Sequence, residues 1–178
     1  MYQQKTDAMK SLIIALAITS STLLNAQQME DYKQIQEAVS KLFINTDTNN
    51  WDGVEAQFAV KVTLDYSSMT GNSAAELTPK DITTSWKTVL PGFANTHHQI
   101  GNIIIESKER EAHLFCYGTA THYLEDDNGN IWTVVGSYDF DLVKIDNLWK
   151  ISSMTFNYKY QDGNKALVTK AIENVKND

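Results

Sequence analysis

The chain is poor in cysteine and proline and carries no basic run. Its one cysteine, Cys116, excludes an intrachain disulfide and any zinc site built on paired thiolates. Cys116 lies in the apolar run His113-Leu-Phe-Cys-Tyr-Gly118, which reads as a buried strand, so its thiol is packing rather than a nucleophile. Only two prolines occur, Pro79 and Pro91, and no repeat or low-complexity linker divides the chain. Its lysines are scattered singly within an acidic total of 15 Lys+Arg against 22 Asp+Glu, a net charge of −7. Without a basic stripe nothing is present to hold a phosphate backbone, and nucleic acid is not an expected partner. Nucleotide, flavin and phosphate-loop motifs are missing too, so no cofactor is expected and any chemistry should be cofactor-free.

Long apolar runs are also lacking. The strongest is Leu12–Ile18, which follows Lys10 and leads through Thr19–Asn25 to Ala26. A basic start, a short apolar centre and a small residue make an export signal over 1–26, cut near Ala26; the run is too short to span a bilayer. Met9 could serve as the start, since Lys10 then follows it directly. A periplasmic or secreted protein with no membrane attachment after cleavage is expected, and no Cys after the apolar centre suggests a lipid anchor.

What is present fits one globular domain over 27–162, followed by a polar, weakly helical tail over 163–178. Hydrophobic residues make up 42% and charged residues 21% of the 178. Ile35, Val39, Leu42 and Phe43 share one stripe, which predicts a helix over 30–49, and Trp51–Phe58 reads as a short helical turn. Val60, Val62, Leu64 and Tyr66 alternate as in a strand. Thr78-Pro79 with Asp81 starts a helix that carries Ile82, Trp86 and Val89-Leu90 and ends at Pro91-Gly92. Segments 96–106, 111–125, 131–145 and 148–159 are rich in Ile, Val, Thr, Tyr and Trp and predict four strands. Asn128-Gly129, within an acidic run that lacks the remaining ligands of a calcium loop, suits a type I′ hairpin turn. Helices followed by a run of strands give an α+β fold.

Strand alternation sorts the four histidines, His97, His98, His113 and His122. His122 shares its face with Leu114, Cys116, Gly118, Ala120 and Leu124, where an imidazole needs a partner or a cavity. His98 shares a face with Ile100, Asn102 and Ile104, while His97 and His113 point away from it. Two inward imidazoles with an inward carboxylate could form an acid–base site, and Tyr66 could add a phenol that polarises a carbonyl. They could equally be satisfied core groups. A metal site of His98, His122 and Asp47 has no short H-x-H or H-x-x-x-H element behind it and is not expected.

Thr46-Asp-Thr-Asn-Asn-Trp-Asp52, Thr63-Leu-Asp-Tyr66, Leu90-Pro-Gly-Phe93, Thr96-His-His-Gln-Ile-Gly101, Thr121-His-Tyr123 and Ile145-Asp-Asn-Leu-Trp-Lys150 occur in that order. Together they resemble the SnoaL-like proteins of the nuclear-transport-factor-two-like superfamily, in the branch that includes scytalone dehydratase, over roughly residues 30–160. The resemblance implies a cone-shaped, strongly curved mixed β-sheet with N-terminal helices closing a central pocket, a cystatin-like α+β barrel. It places Asp47 on the Asp that orients the acid/base His, His98 on that His, His122 on the second pocket His, and Tyr66 on one of two substrate-polarising tyrosines. Thr46 replaces the other tyrosine, and Gly136 and Tyr138 fall where a Ser and an Asn belong. Tyr138, Phe93, Asn102 and Trp51 are candidate ligand contacts, although Trp51 taken alone reads as a core anchor.

The expected function is a dehydratase-like lyase or an isomerase acting on a small cyclic or aromatic carbonyl compound. His98 would take a proton, Asp47 would stabilise the imidazolium, and Tyr66 with His122 would steady the enolate. The competing expectation is a non-catalytic small-ligand-binding or oligomerisation module on the same fold. A homodimer or small homo-oligomer that takes a small hydrophobic or aromatic ligand is expected in either case.

Overall fold

The computed structural model describes residues 26–177, and the expected export signal over 1–26 lies, but for Ala26, outside the described residues. The first helix, α1, is helical over 26–47 and begins earlier than its apolar spacing predicts. Its turns up to Gln34 are the described part of one compact unit, and residues from Ile35 onward form another. In the first unit, side chains four apart pair along the helix: Gln27 with Asp31 at 3.1 Å, Gln28 with Tyr32 at 3.2 Å and Gln34 with Glu30 at 3.1 Å. Such i,i+4 pairs support a helix without an apolar stripe.

The second unit contains the predicted stripe, with Ile35, Val39, Leu42 and Phe43 all buried. A short α2 (Trp51–Glu55) follows, capped by Asn50, whose side chain accepts from the Gly53 N–H. Next come β1 (Phe58–Asp65), α3 (Ser67–Thr70), β2 (Ala75–Leu77) and α4 (Pro79–Trp86). Thr78 and Asp81 cap α4 reciprocally, as the Thr-Pro start signal implies. A 3₁₀ turn, Leu90–Gly92, leads into the long strands β3 (Asn95–Lys108), β4 (Glu111–Tyr123), β5 (Ile131–Ile145) and β6 (Leu148–Gly163), then α5 (Leu167–Asn177). The six strands make a curved, unclosed mixed sheet in the order β2-β1-β6-β5-β4-β3. Only the β1–β6 pairing is parallel. No helix among the described residues is long and apolar enough to cross a membrane.

Three local expectations need correction. The first concerns the phase of β3, whose pairing with β4 shifts between Gly101 and Ile104, with Asn102 in the left-handed region at φ 54°. Beyond this bulge the side chains change faces: Ile103 and Ile105 turn inward, Ile104 is 60% exposed, and Asn102 is exposed rather than beside His98. In β1, a second shift between Phe58 and Thr63 leaves Val60 exposed and buries Phe58, Ala59 and Val62. Tyr66 is therefore the N-cap of α3, past the end of the strand.

The third concerns the turns. Asn128-Gly129 sits in a longer loop in which the Asp126 carboxylate accepts from the Asn128 N–H and only Gly129 has positive φ. The two-residue turn of type I′ character is Asp146-Asn147, where φ is 48° and 65° between paired Ile145 and Leu148.

The tail folds as α5 and docks on the 3₁₀ turn. Asn174 donates to the Gly92 carbonyl at 3.0 Å. Lys170 reaches the Glu125 carbonyl and the Asp126 carboxylate.

Candidate active site

Asp47 is the last helical residue of α1, and its side chain meets the start of β3. Its Oδ1 accepts from His98 Nδ1 at 2.6 Å and from the Thr96 hydroxyl at 2.9 Å; its Oδ2 accepts from the His98 backbone N–H at 2.8 Å. Threonine two residues before His98 is thus on the same strand face and shares its carboxylate. Burial pushes the Asp47 carboxyl up, but the ring bond and charge of His98, its N–H and the Thr96 hydroxyl together outweigh this and hold it below the usual range. An ionised carboxylate only accepts, so Nδ1 of His98 carries the proton and Nε2 of the neutral ring is bare. Phe43, one turn before Asp47, stacks on the His98 ring at 5.2 Å and 15°.

His122 stands edge-on to His98 with ring centroids 6.0 Å apart. Its Nδ1 lies 3.3 Å from the Trp132 carbonyl, a partner fixed by the β4–β5 pairing of these two residues. A carbonyl only accepts, so Nδ1 donates, and Nε2 is again the bare nitrogen. Phe93 at 4.8 Å and Trp132 at 4.6 Å both pack against the ring. Burial above all, and then the positive charge His98 can carry, lower His122 to about 4. Neutral His122 therefore offers the cavity an acceptor. That corrects the expectation of a donor to an enolate.

Both imidazoles line a cavity of about 240 Å³. Tyr66 and Tyr138 line it too, with the hydroxyls of Thr46, Ser85 and Thr88, and much of the remaining wall is apolar: Phe43, Trp86, Val89, Leu90, Trp132, Val134 and Phe156. None of the lining residues is Lys, Arg, Asp or Glu. Burial raises both phenols above their ordinary value, so both remain protonated donors at neutral pH. Neither hydroxyl has a hydrogen-bond partner among the described residues. Ser68 docks the Tyr66 turn on β6 by donating to the Phe156 carbonyl and accepting from the Tyr158 N–H at 2.9 Å. Tyr138 packs between Phe43 at 5.1 Å and Phe156 at 4.8 Å.

The structure thus gathers Asp47, His98, His122, Tyr66 and Tyr138 at one place. Phe93 stays behind His122 and supports its ring instead of lining the cavity. Trp51 lies away from the cavity, with the Lys87 ammonium 5.5 Å from its ring centre, and Asn102 is displaced by the β3 bulge. Thr96, Phe43, Trp86 and Phe156 were not singled out as site residues in the sequence. Thr96 alone left a signal there, by its place two residues before His98.

Solved structures similar to this one share the fold. The Kfla4162 protein of Kribbella flavida is 24% identical with a TM-score of 0.75, over 80% of this chain and 99% of its own. A Novosphingobium aromaticivorans protein provisionally named scytalone dehydratase is 19% identical with a TM-score of 0.69, over 79% and 91%. Hexachlorocyclohexane dehydrochlorinase LinA-type3 of Novosphingobium barchaimii is 13% identical with a TM-score of 0.67, over 79% and 94%. No match to a curated protein was found. The SnoaL-like domain family matches residues 27–155, more than half of the sequence, and the chain belongs to that family.

Proposed function

We propose that this protein is a cofactor-independent lyase, or an isomerase, that acts on a small cyclic or aromatic carbonyl compound. The observation that carries this reading is the Asp47–His98 contact at 2.6 Å on the wall of an apolar cavity. A cavity of about 240 Å³, against ~150 Å³ for one that holds benzene, suits a molecule of one or two rings.

His98 Nε2 removes the proton from the carbon beside the carbonyl. The C–H electron pair becomes the new C=C bond as the leaving group departs from the next carbon with its own bonding pair. The proton on His98 then passes to the departing hydroxide, releases water and restores the base. Asp47 fixes the ring and balances the imidazolium, while the Tyr66 and Tyr138 phenols donate to the carbonyl oxygen as it gains charge. Isomerisation uses the same first step and returns the proton to another carbon. The dehydratase and dehydrochlorinase names of two structurally similar proteins, both eliminations, support this reading. The proposal includes export, with residues 1–26 as a signal cut near Ala26.

A binding module without turnover is favoured by one feature. A Cβ at Gly136 would lie 2.4 Å from the Phe156 ring, so no side chain can stand where the dehydratase pattern has Ser. Turnover of 3-hydroxycyclohexanone, followed by the ultraviolet absorbance of the cyclohexenone formed, separates the two. The lyase reading expects turnover that falls at least ~100-fold in His98→Ala, the loss of a general base. Turnover equal in both proteins would refute it.

A further inference from the structure

Elimination at His98 can expel hydroxide or halide, and the two make opposite demands on a neighbouring hydrogen-bonding group. A hydroxyl carries a proton to donate. A carbon-bound chlorine offers only lone pairs.

His122 is built to meet a donor. Phe93 and Trp132 pack against its ring at 4.8 and 4.6 Å. The Trp132 carbonyl takes its Nδ1 proton, and the strand register that pairs residues 122 and 132 fixes that carbonyl. Nε2 is left with a lone pair, on a ring that lines the cavity. His98 cannot satisfy it, since its own Nε2 is bare by the same logic, its Nδ1 proton being held by Asp47. His122 as a residue is only 4% exposed, so bulk water is a poor partner. Tyr66, Tyr138 and the Ser85 hydroxyl can donate into the cavity, the Thr46 and Thr88 protons being taken by the Leu42 and Ser85 carbonyls, whereas the two imidazoles are acceptors. A ligand that satisfies this division carries an acceptor toward the tyrosines and a donor toward the histidines.

We propose that His122 is a specificity-determining acceptor that holds a hydroxyl of the ligand and selects hydroxylated over halogenated ring compounds. This rests on the elimination site described above and narrows it to loss of water. When His98 takes a proton, His122 stays neutral and keeps its hold on the hydroxyl that departs.

The test compares binding of 2-naphthol and 2-chloronaphthalene by titration calorimetry, and needs no turnover. The wild-type protein is expected to bind 2-naphthol about 5- to 10-fold more tightly, the effect of one neutral hydrogen bond. His122→Leu should abolish that preference. His122→Gln, whose amide can donate to the Trp132 carbonyl and accept from the ligand, should retain it.

Nitrogen-15 NMR of the free wild-type protein should show the His122 proton on Nδ1, with Nε2 shifting when 2-naphthol is added. A proton on Nε2, or a preference unchanged in His122→Leu, would overturn the assignment. Should His122→Leu not fold, the nitrogen spectrum alone decides. Loss of turnover in His98→Ala without any naphthol preference would sink the His122 assignment and leave the lyase reading standing. The preference without turnover would do the reverse.

Discussion

Asp47 holds His98 twice, taking the ring Nδ1 proton on one oxygen at 2.6 Å and the backbone N–H on the other at 2.8 Å. One carboxylate thus fixes both the tautomer of the imidazole and the strand that bears it. In Asp47→Asn the amide can present its NH₂ to Nδ1, which would move the ring proton to Nε2 and remove the base. Turnover is expected to drop by about 10²–10⁴-fold, with the tautomer change visible by nitrogen-15 NMR. Thr96→Val removes a single bond to the same carboxylate and should cost about tenfold at most.

Acid should destabilise the fold through His122. Its folded pKa of about 4 lies below the unfolded 6.5, so between these values the unfolded chain binds the extra proton. Stability is therefore lost as pH falls from 6.5 toward 4, by on the order of 3 kcal/mol for this 4%-exposed residue. Urea denaturation across that range should show this slope in the wild type and a shallower one in His122→Gln.

His113, on the other face of the sheet, works in the opposite direction. It lies between Asp141 and Asp139, each 3.1 Å from one of its ring nitrogens, and the Asp141 bond chiefly raises its pKa against the effect of burial. Its contribution is complete below the unfolded value of 6.5 and is lost as pH rises through the raised folded value. The pair is largely exposed, so the effect is small. His113→Gln should flatten the stability profile on the alkaline side of 6.5, as measured by thermal melts.

Gly118 leaves room for the Tyr138 ring. A Cβ there would fall 2.3 Å from that ring, which Phe43 and Phe156 already hold in place. Gly118→Ala should lower the melting temperature by several degrees and weaken 2-naphthol binding at least fivefold, since Tyr138 must shift into the cavity.

Most of the fold was legible because its elements repeat one signal many times. β-Branched residues alternating over β3 to β6, the apolar stripe of α1 and the Thr78–Asp81 cap each mark their element. The features that sequence reading misplaced depend on single irregularities. Gly101-Asn102 could have signalled the β3 bulge, since Asn tolerates positive φ and Ile103-Ile-Ile105 breaks the alternation. Residue preference points to Asn128-Gly129, although Asp146-Asn147, between directly paired strand ends, carries both positive φ values.

The resemblance to the SnoaL-like family pairs Asp47 with His98, which stand 2.6 Å apart. It said nothing of the Trp132 carbonyl, a backbone atom invisible to side-chain motifs. That carbonyl decides which nitrogen of His122 is bare.

Proton abstraction by His98 is best isolated from leaving-group departure by deuterium exchange at the α-carbons of 2-tetralone in heavy water, followed by proton NMR. The account predicts exchange accelerated by the wild-type protein, reduced to the background rate in His98→Gln and strongly slowed in Asp47→Asn. Exchange at the background rate with wild type, or equally fast exchange with His98→Gln, would contradict it.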